Sequence, residues 1–469
     1  MAFLDRAEDL AVLEDNWDAT DARFFVMWGR RRVGKTELLS RFAAGRRALH
    51  FEATDTTDRD QLRDLGAELA RVSGDPLLAA QPLESWDAAL AAIERFAAEA
   101  RTAVIFDEFQ YLVRRSPDLE STLNRWWRQR GRDLPLMLVI AGSEVSFFER
   151  DVLGGQMYGR RTGQWQVRPF GHREAALFTP GYAPEDLVRT FAVFGGMPYY
   201  LERLDDTVPV GENILRLVLR RDGFLHEEAE LLLRQELDDP TLYFSVLRAI
   251  ANGRTRNSEI ADWARVSPAR ATQLTGVLER LALVEQRRPV TATARSKKTR
   301  YAIRDGFLNF YFRFVDPHRS RLLTRAGADQ HLDQTVLPQL DRFTSKPTWE
   351  AICRDHVAAV EDVAAVGSWW GQVPIGNGRR TEEREIDIVA VDGKGTVVAV
   401  GSCKWTNAEV GVDELRLLDR LTAALPGADS AQRPTAFLFS RSGFSRELTR
   451  LAAVDPDRVR LLRPADLYA

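Results

Sequence analysis

The chain has 469 residues, of which 45% are hydrophobic and 28% are charged, a composition typical of folded globular protein with room for about three domains. Its 65 lysines and arginines nearly balance 68 aspartates and glutamates, so the net charge of −3 excludes a chain-wide basic field, and any nucleic-acid surface has to be local. The two cysteines are too few for a disulfide framework or a cysteine zinc site, and they favour a reducing, cytoplasmic setting.

The start of the chain is acidic and lacks the apolar stretch of a signal peptide. The longest apolar run, near 134–141, is far shorter than the roughly 18 residues of a membrane helix, so we expect no membrane partner. The first third alternates short apolar runs with helical patterns, which predicts a buried parallel sheet in a core of residues 1–170. The predicted strands are 24–28, 48–52, 102–106 and 136–141, and the predicted helices include 36–42, 60–72 and 85–99.

Residues 171–238 lose the strand signal and show helical periodicity, which predicts a helical lid. Residues 239–318 then form a basic region, in which 241–304 hold thirteen Lys/Arg and four Asp/Glu. Ser267 and Pro268 form a helix start, which predicts a helix with Arg270, Thr272 and Gln273 on its open side. A basic stretch with Arg295, Lys297 and Lys298 follows, at the place of a β-wing.

A winged helix-turn-helix with such a basic face predicts binding of double-stranded DNA; the alternative is a winged helix used for protein contacts. Residues 319–346 are polar and predict a linker with some helix. Residues 347–469 return to α/β patterning, with strands expected at 385–391, 396–400 and 435–440. The predicted fold class is therefore multidomain α/β.

The strongest motif runs from Gly29 to Thr36 and matches G-x-x-x-x-G-K-[ST] between a predicted strand and a predicted helix. Such a loop wraps phosphates with backbone N–H groups, while its lysine faces the β- and γ-phosphates. The sequence therefore predicts a P-loop NTPase that binds ATP with Mg²⁺. The expected nucleotide-binding residues are Gly29, Arg30, Arg31, Arg32, Val33, Gly34, Lys35, Thr36 and Ser143.

The second half of this predicted site is the apolar run that ends in Asp107 and Glu108, at the carboxyl end of a strand. Thr36 and Asp107 are expected to hold Mg²⁺, and Glu108 is expected to polarise the attacking water. Ser143 follows the next strand and would sense the γ-phosphate, although a plain strand-to-loop cap is equally compatible. Arg160 is a candidate arginine finger. Lys35, Glu108 and Arg160 thus form the predicted catalytic set.

The order of these motifs resembles that of the archaeal-type ATPases, a P-loop family similar to the signal-transducing NTPases. The resemblance rests on the P-loop and on the following segments: Phe3-Leu-Asp5-Arg6 with Glu8, Phe106-Asp-Glu-Phe-Gln110, Ala141-Gly-Ser143, Tyr158-Gly-Arg-Arg-Thr162 and Gly195-Gly-Met-Pro198. It extends into a C-terminal domain of unknown function that is often fused to the ATPase. The resemblance implies an ATPase core, a helical lid, a winged helix and a nuclease-like tail.

The tail, residues 347–469, is similar to the α/β fold of restriction-endonuclease-like PD-(D/E)xK nucleases. The matching positions are Glu350, Glu385, Asp387, Ser402 and Lys404. In related tails the residue two before the lysine is usually Glu, and here it is Ser402, which removes one negative charge from a metal site. We therefore expect a degenerate nuclease, with Glu385 as a possible substitute ligand.

The sequence as a whole predicts a cytoplasmic ATPase whose nucleotide cycle is coupled to DNA binding. Two alternatives stay open: an ATP-controlled DNA nuclease, and a nucleotide-dependent switch with negligible turnover. The chain is a possible homo-oligomer.

Overall fold

The structure, a computed structural model, describes residues 4–76, 78, 81–148, 152, 154, 159–237, 239–293, 296, 298–375, 380–426 and 433–468. The chain divides into two compact units, Met1–Pro169 and Phe170–Ala469. Among the described residues, none of the helices is both long enough and apolar enough to cross a membrane.

The first unit is built on a five-stranded parallel sheet in the order β2-β3-β4-β1-β5. Its strands are β1 Arg23–Trp28, β2 Ala48–Glu52, β3 Thr102–Asp107, β4 Leu136–Gly142 and β5 Gly163–Gln166. Every residue of β3 and β4 is buried, as expected of central strands with helices on both faces. The predicted parallel sheet is confirmed, whereas β5 escaped prediction because it is short and only partly buried.

Helices connect these strands and cover the sheet. They are α1 Ala7–Trp17, α2 Lys35–Ala43, α3 Asp58–Ser73, α4 Trp86–Ala98, α5 Phe109–Arg115, α6 Leu119–Gln129 and the short α7 Val145–Phe147, with a 3-10 turn at Gly131–Asp133. The hydroxyls of Thr57 and Ser85 cap α3 and α4 by accepting backbone N–H groups. The three predicted helices therefore lie within a residue or two of the observed ones.

The second unit begins with helices, as predicted for 171–238. They are α8 His172–Ala176, α9 Pro184–Phe194, α10 Pro198–Leu201, α11 Val210–Ile214 with the π-helical turn Leu215–Leu219, and α12 Glu228–Glu236. Three further helices and a ladder of two antiparallel strands follow: α13 Thr241–Ala251, α14 Asn257–Ala264, α15 Pro268–Arg280, β6 Val284–Arg287 and β7 Arg300–Ile303. Ser267 caps α15 and Pro268 occupies its first turn, so the predicted helix start is observed.

Residues 306–349, which include the segment expected to be a linker, are helical. The elements are α16 Gly306–Phe310, α17 Arg325–His331 and α18 Leu337–Phe343, joined by the turns Tyr311–Val315, Asp316–His318, Arg321–Leu323, Leu332–Val336 and Thr344–Trp349. Leu322, Val336 and Leu340 are buried here, so part of this polar segment packs into the second unit.

A mixed sheet in the order β12-β11-β10-β9-β8 completes the second unit. Its strands are β8 Ala365–Ile375, β9 Arg380–Val391, β10 Val397–Lys404, β11 Thr435–Ser440 and β12 Val459–Leu462. The first three strands are antiparallel, and β10, β11 and β12 are parallel. The associated helices are α19 Glu350–Val360, α20 Val412–Thr422, α21 Arg446–Val454 and α22 Pro464–Leu467. The tail has two separate apolar clusters. One includes residues of α20 and α21, and the other includes residues of α19, so the tail is a layered α/β structure.

Candidate functional site

The loop between β1 and α2 turns tightly, and two of its glycines lie where a side chain would clash or be strained. A Cβ atom added to Gly29 would lie 2.3 Å from the carbonyl oxygen of Val167, a distance that no real side chain tolerates. Gly34 has φ 92° and Arg32 has φ 68°, both in the left-handed region. The loop therefore turns tightly from the strand into the helix, with α2 starting at Lys35.

Lys35 is buried inside this loop rather than extended into solvent. Its Nζ donates hydrogen bonds to the carbonyl oxygens of Gly29 (2.8 Å) and Arg30 (3.2 Å). Arg6 holds the loop by donating from Nη2 to the Val33 carbonyl oxygen at 2.6 Å. The sequence indicated Arg6 only as part of the family pattern. Because its other partners are Asp9 and the Arg168 carbonyl, Arg6 ties the loop to two distant segments.

Thr36 and Asp107, the two predicted Mg²⁺ ligands, are brought together. The Thr36 hydroxyl donates to Asp107 Oδ2 at 2.7 Å, and Asp107 is fully buried. Burial alone would raise the pKa of Asp107, but the nearby His50, the Thr36 hydroxyl and the charge of Lys35 outweigh it and hold that pKa below its ordinary value. His50 Nε2 lies 4.0 Å from the same carboxylate oxygen. The carboxylate at the end of β3 is therefore ionised at neutral pH.

Glu108 lies next to this pair in a left-handed backbone conformation, with φ 53°. Its Oε2 accepts a hydrogen bond from the Ser143 hydroxyl at 2.7 Å and another from the amide of Gln110. Gln110 in turn contacts the Ser143 hydroxyl at 3.3 Å. Sequence reasoning placed Ser143 near the phosphates, whereas here it contacts the predicted base.

The acidic edge of the sheet extends to Glu52 at the end of β2. Partial burial raises the pKa of Glu52 most, and the negative charges of Asp107 and Glu108 raise it further. The carboxylates of Glu52, Asp107 and Glu108 therefore act on one another electrostatically at this edge of the sheet.

The remaining predicted residues of this site have other contacts. Arg31 donates to the hydroxyl of Tyr111, and Arg30 is buried. Arg160 is exposed and its Nε donates to Asn124 Oδ1 at 3.2 Å, on helix α6. Its role as an arginine finger stays a prediction.

In the tail, the predicted nuclease-like acid Glu350 is buried and Asp387 is half-buried. Glu350 is the first residue of α19, and Asp387 Oδ2 on β9 accepts the backbone N–H of Cys403 at 2.8 Å. Burial raises the pKa of both carboxyls, more than the neighbouring Lys346 and Lys404 lower it. Arg354 lies 3.6 Å from Glu350.

Glu385, the suggested substitute ligand, is already paired with two cations. Its carboxylate accepts from Lys346 Nζ at 2.8 Å and from Arg300 Nη1 at 3.1 Å. Burial would raise the pKa of Glu385, but Lys346 and Arg300 outweigh it and lower that pKa.

Ser402 has a carboxylate partner that sequence reasoning missed. Its hydroxyl donates to Glu414 Oε1 at 2.7 Å, and Lys404 Nζ lies 3.0 Å from the same oxygen. Glu414 lies in the first turn of α20, so a search of the helix after the strand would have found it. Among the described residues, no group of three or more His, Cys, Asp or Glu side chains is arranged to hold a metal ion.

The predicted DNA-contacting residues of α15 are solvent-exposed: Arg270, Thr272 and Gln273. Lys298 is also exposed, while Arg295 and Lys297 lie outside the described residues. Thr272 and Lys298 line a groove of about 610 Å³ together with Glu383 of β9. Glu383 accepts from Arg300 at 2.8 Å and from Arg256 at 3.3 Å, so an acid of the tail neutralises part of this basic face.

Two family models match the chain. One, described as an ATPase domain predominantly from Archaea, matches residues 3–204, and another, described as archaeal and bacterial proteins of unknown function, matches residues 311–415. An uncharacterised protein of Methanocaldococcus jannaschii is 30% identical over 322 residues, which cover 68% of this chain and 70% of the relative. An uncharacterised ATP-binding protein of the same organism is 45% identical over 40 residues, which cover 8% of this chain and 68% of that protein.

The chain also resembles solved structures. The Walker-type ATPase of Pyrococcus abyssi is 21% identical, with a TM-score of 0.49, over 66% of this chain and 96% of that chain. The ORC2 protein of Aeropyrum pernix is 14% identical, with a TM-score of 0.40, over 70% of this chain and 93% of that chain. At these scores, no inference about function follows from either likeness.

Proposed function

This chain belongs to the family of ATPases found predominantly in Archaea, and from that premise we propose that its first unit binds ATP and hydrolyses it to ADP and phosphate. The observation that carries this proposal is the contact between Thr36 and Asp107, with Lys35 and Glu108 directly beside them along the chain. These residues supply a cation for the phosphates, a hydroxyl–carboxylate pair for a metal ion and a carboxylate for water.

The residues beside the loop fit Mg²⁺. An ionised, buried carboxylate and a hydroxyl in contact with it are hard oxygen ligands of the kind that Mg²⁺ prefers. Thr36 and Asp107 would hold the ion. When bound, Mg²⁺ would offset the negative charge of the phosphates.

The chain's own residues divide the remaining work. The N–H groups at the start of α2 orient the phosphates, and Lys35 exchanges its contacts with the Gly29 and Arg30 carbonyls for the phosphate oxygens. Glu108 accepts a proton from water at its carboxylate, and Ser143 and Gln110 hold that carboxylate in place.

Steady-state ATP turnover by the full chain tests the proposal. We expect Glu108→Gln to keep ATP binding and to lower kcat by about 100-fold, because an amide accepts no proton from water. Lys35→Ala should instead weaken ATP binding, because it removes the cation that faces the phosphates. The matched control is Glu84→Gln, which changes an exposed glutamate of the same unit. Equal turnover in Glu108→Gln and Glu84→Gln would remove Glu108 from the mechanism.

We further propose that residues 241–303 form a winged helix that binds double-stranded DNA and couples this binding to ATP turnover. The support is the order of three helices and a two-stranded ladder, with the exposed side chains of Arg270, Thr272 and Gln273 on its third helix. Binding through several cations should weaken steeply with salt, and replacing both Arg270 and Lys298 by Ala should flatten that dependence. DNA affinity measured by fluorescence anisotropy at several salt concentrations, with Lys394→Ala as the control, tests this part. Absence of binding at low salt would favour a protein-contact role.

For the tail, we propose a degenerate nuclease fold with little or no Mg²⁺-dependent DNA cleavage. Three of the four charged groups predicted for this site have an ion-pair partner: Glu385 with Lys346, Lys404 with Glu414, and Glu350 with Arg354. The fourth, Asp387, accepts the backbone N–H of Cys403. A nicking assay on the wild type and on Asp387→Ala tests this part. Cleavage that Asp387→Ala abolishes would establish an active nuclease instead.

A further inference from the structure

The second unit contains a cavity of about 800 Å³, in the size range of small-molecule sites. Its walls come from the end of α13, from β7, from the helical segment 309–347 and from β8 and β9 of the tail. We call it the arginine cavity because four arginines and one lysine line it, with a single carboxylate: Arg287, Arg300, Arg313, Arg342, Lys346 and Glu385.

Three of these cations are balanced within the protein. Arg287 pairs with Glu285, and Arg300 and Lys346 both contact Glu385. These pairs leave little positive charge for a ligand.

The other two cations have no acidic partner among the described residues. Arg313 Nη1 donates to the neutral Asn252 Oδ1 at 3.0 Å, and Arg342 makes neither a hydrogen bond nor an ion pair with another described residue. Arg342 lies on α18, four residues before Lys346, and Arg313 lies in the turn Tyr311–Val315. Arg313 is half-buried and Arg342 is exposed at the cavity, and a guanidinium matches phosphate with paired N–H donors.

A neutral polar group in the wall also lacks a partner. Asn309 is only 9% exposed, and its side-chain amide makes no hydrogen bond with another described residue, although Asn309 lines the cavity. The side chain of Asn309 therefore offers a donor and an acceptor to a ligand in the cavity. Aromatic residues form the adjacent walls, among them Tyr301, Phe314 and Trp370.

We propose that the arginine cavity binds a nucleoside phosphate, with Arg313 and Arg342 on the phosphate and Asn309 on the edge of the base. The combination separates this ligand class from inorganic anions, which need no aromatic wall, and from apolar molecules, which need no arginine. A free nucleotide and the phosphorylated end of a DNA strand share this chemistry. The proposal depends on the second unit alone and is independent of ATP hydrolysis.

Calorimetric titration of full-length Lys35→Ala protein tests the cavity without the contribution of the P-loop. The probes are deoxyadenosine 5′-monophosphate, a single-stranded thymidine trinucleotide with a 5′-phosphate, and the same trinucleotide with a 5′-hydroxyl. We expect binding of the monophosphate, of the phosphorylated trinucleotide or of both, and the pattern distinguishes a free nucleotide from a DNA end. Adding Arg313→Gln and Arg342→Gln should weaken binding by about tenfold or more, since charge-assisted contacts are lost.

The matched control is Arg416→Gln, which removes an exposed arginine of α20 outside the cavity and should leave binding intact. Asn309→Leu keeps all charges and should reduce binding of the nucleotide, so it tests the site if the arginine variants fail to fold. Three results would overturn the proposal: no binding of any probe to protein that melts cooperatively, equal binding in the arginine variants and Arg416→Gln, or, where the phosphorylated trinucleotide binds, equal affinity for the trinucleotide with a 5′-hydroxyl.

Discussion

The P-loop site of the first unit and the acidic cluster of the tail contain similar residue types but hold their charges in opposite ways. At the P-loop, Lys35 donates to two backbone carbonyls, and the pKa of Asp107 is lowered, so the Asp107 carboxylate is charged at neutral pH. In the tail, burial raises the pKa of Glu350 and Asp387, and the lysines already contact carboxylates. A motif match therefore describes which groups are present, whereas the partners of those groups decide whether a ligand is needed to balance them.

The largest expected effect tests the backbone of the P-loop. Gly29→Ala should weaken ATP binding by about 100-fold, because its methyl group would meet the Val167 carbonyl and displace the loop by an ångström or so. The control is Gly393→Ala, where the added methyl group meets nothing within 4 Å. Equilibrium titration with a fluorescent ATP analogue measures the difference, and unchanged affinity in Gly29→Ala would contradict this account of the loop.

A second prediction compares the two aspartates directly. Asp107→Asn should lower the free energy of unfolding by about 1–2 kcal/mol, because Thr36 loses a charged acceptor. Asp387→Asn should instead leave the free energy of unfolding unchanged or raise it by about 1 kcal/mol, because it removes a charge that burial disfavours. Chemical denaturation of both variants at pH 7 measures these values. Destabilisation of equal size in the two variants would contradict the comparison.

The pH dependence of the folding stability should differ in direction between Asp107 and Asp387. The lowered pKa of Asp107 contributes stability above its unfolded value, near 3.8, and this contribution is lost as the pH falls through the folded value. The raised pKa of Asp387 contributes stability at low pH, and this is lost as the pH rises through the folded value. The advantage of Asp387→Asn over wild type should therefore be larger at pH 7 than near pH 3.8, the unfolded value.

The same two sites show which residues could be predicted from the sequence and which could not. The P-loop and the Asp107–Glu108 pair could be predicted because eight consecutive residues and one strand end specify them. Glu414 and Lys346 could not, since each reaches its partner through the packing of a helix against the sheet. Strands β8 and β12 were missed as well: β8 contains two glycines and a proline, and β12 has only four residues. The burial of side chains in 319–346 could not be predicted, because their neighbours in the sequence are polar.

A third prediction concerns the acid that neutralises the basic face of the second unit. Glu383→Gln frees Arg256 and removes one of the two acidic partners of Arg300. DNA affinity at low salt should therefore rise by roughly three- to tenfold, and its salt dependence should become steeper. Glu382→Gln is the matched control, because the neighbouring Glu382 pairs with Arg384 on its own strand and with no other cation among the described residues. Fluorescence anisotropy with a short duplex compares the two variants. An identical affinity in both would mean that Glu383 does not compete with DNA.

The smallest expected effect concerns Ser143, which holds the carboxylate of Glu108. Ser143→Ala should lower kcat for ATP by roughly three- to tenfold with little change in KM, since the amide of Gln110 still holds the same carboxylate oxygen. Ser121→Ala, which removes an exposed hydroxyl of α6, is the control. The decisive comparison uses the double variant: if Ser143 acts through Glu108, Ser143→Ala should have no further effect in a Glu108→Gln background. Additive losses would instead mean that Ser143 contacts the phosphates directly, as the sequence suggested, and that its hydrogen bond to Glu108 is broken when ATP binds.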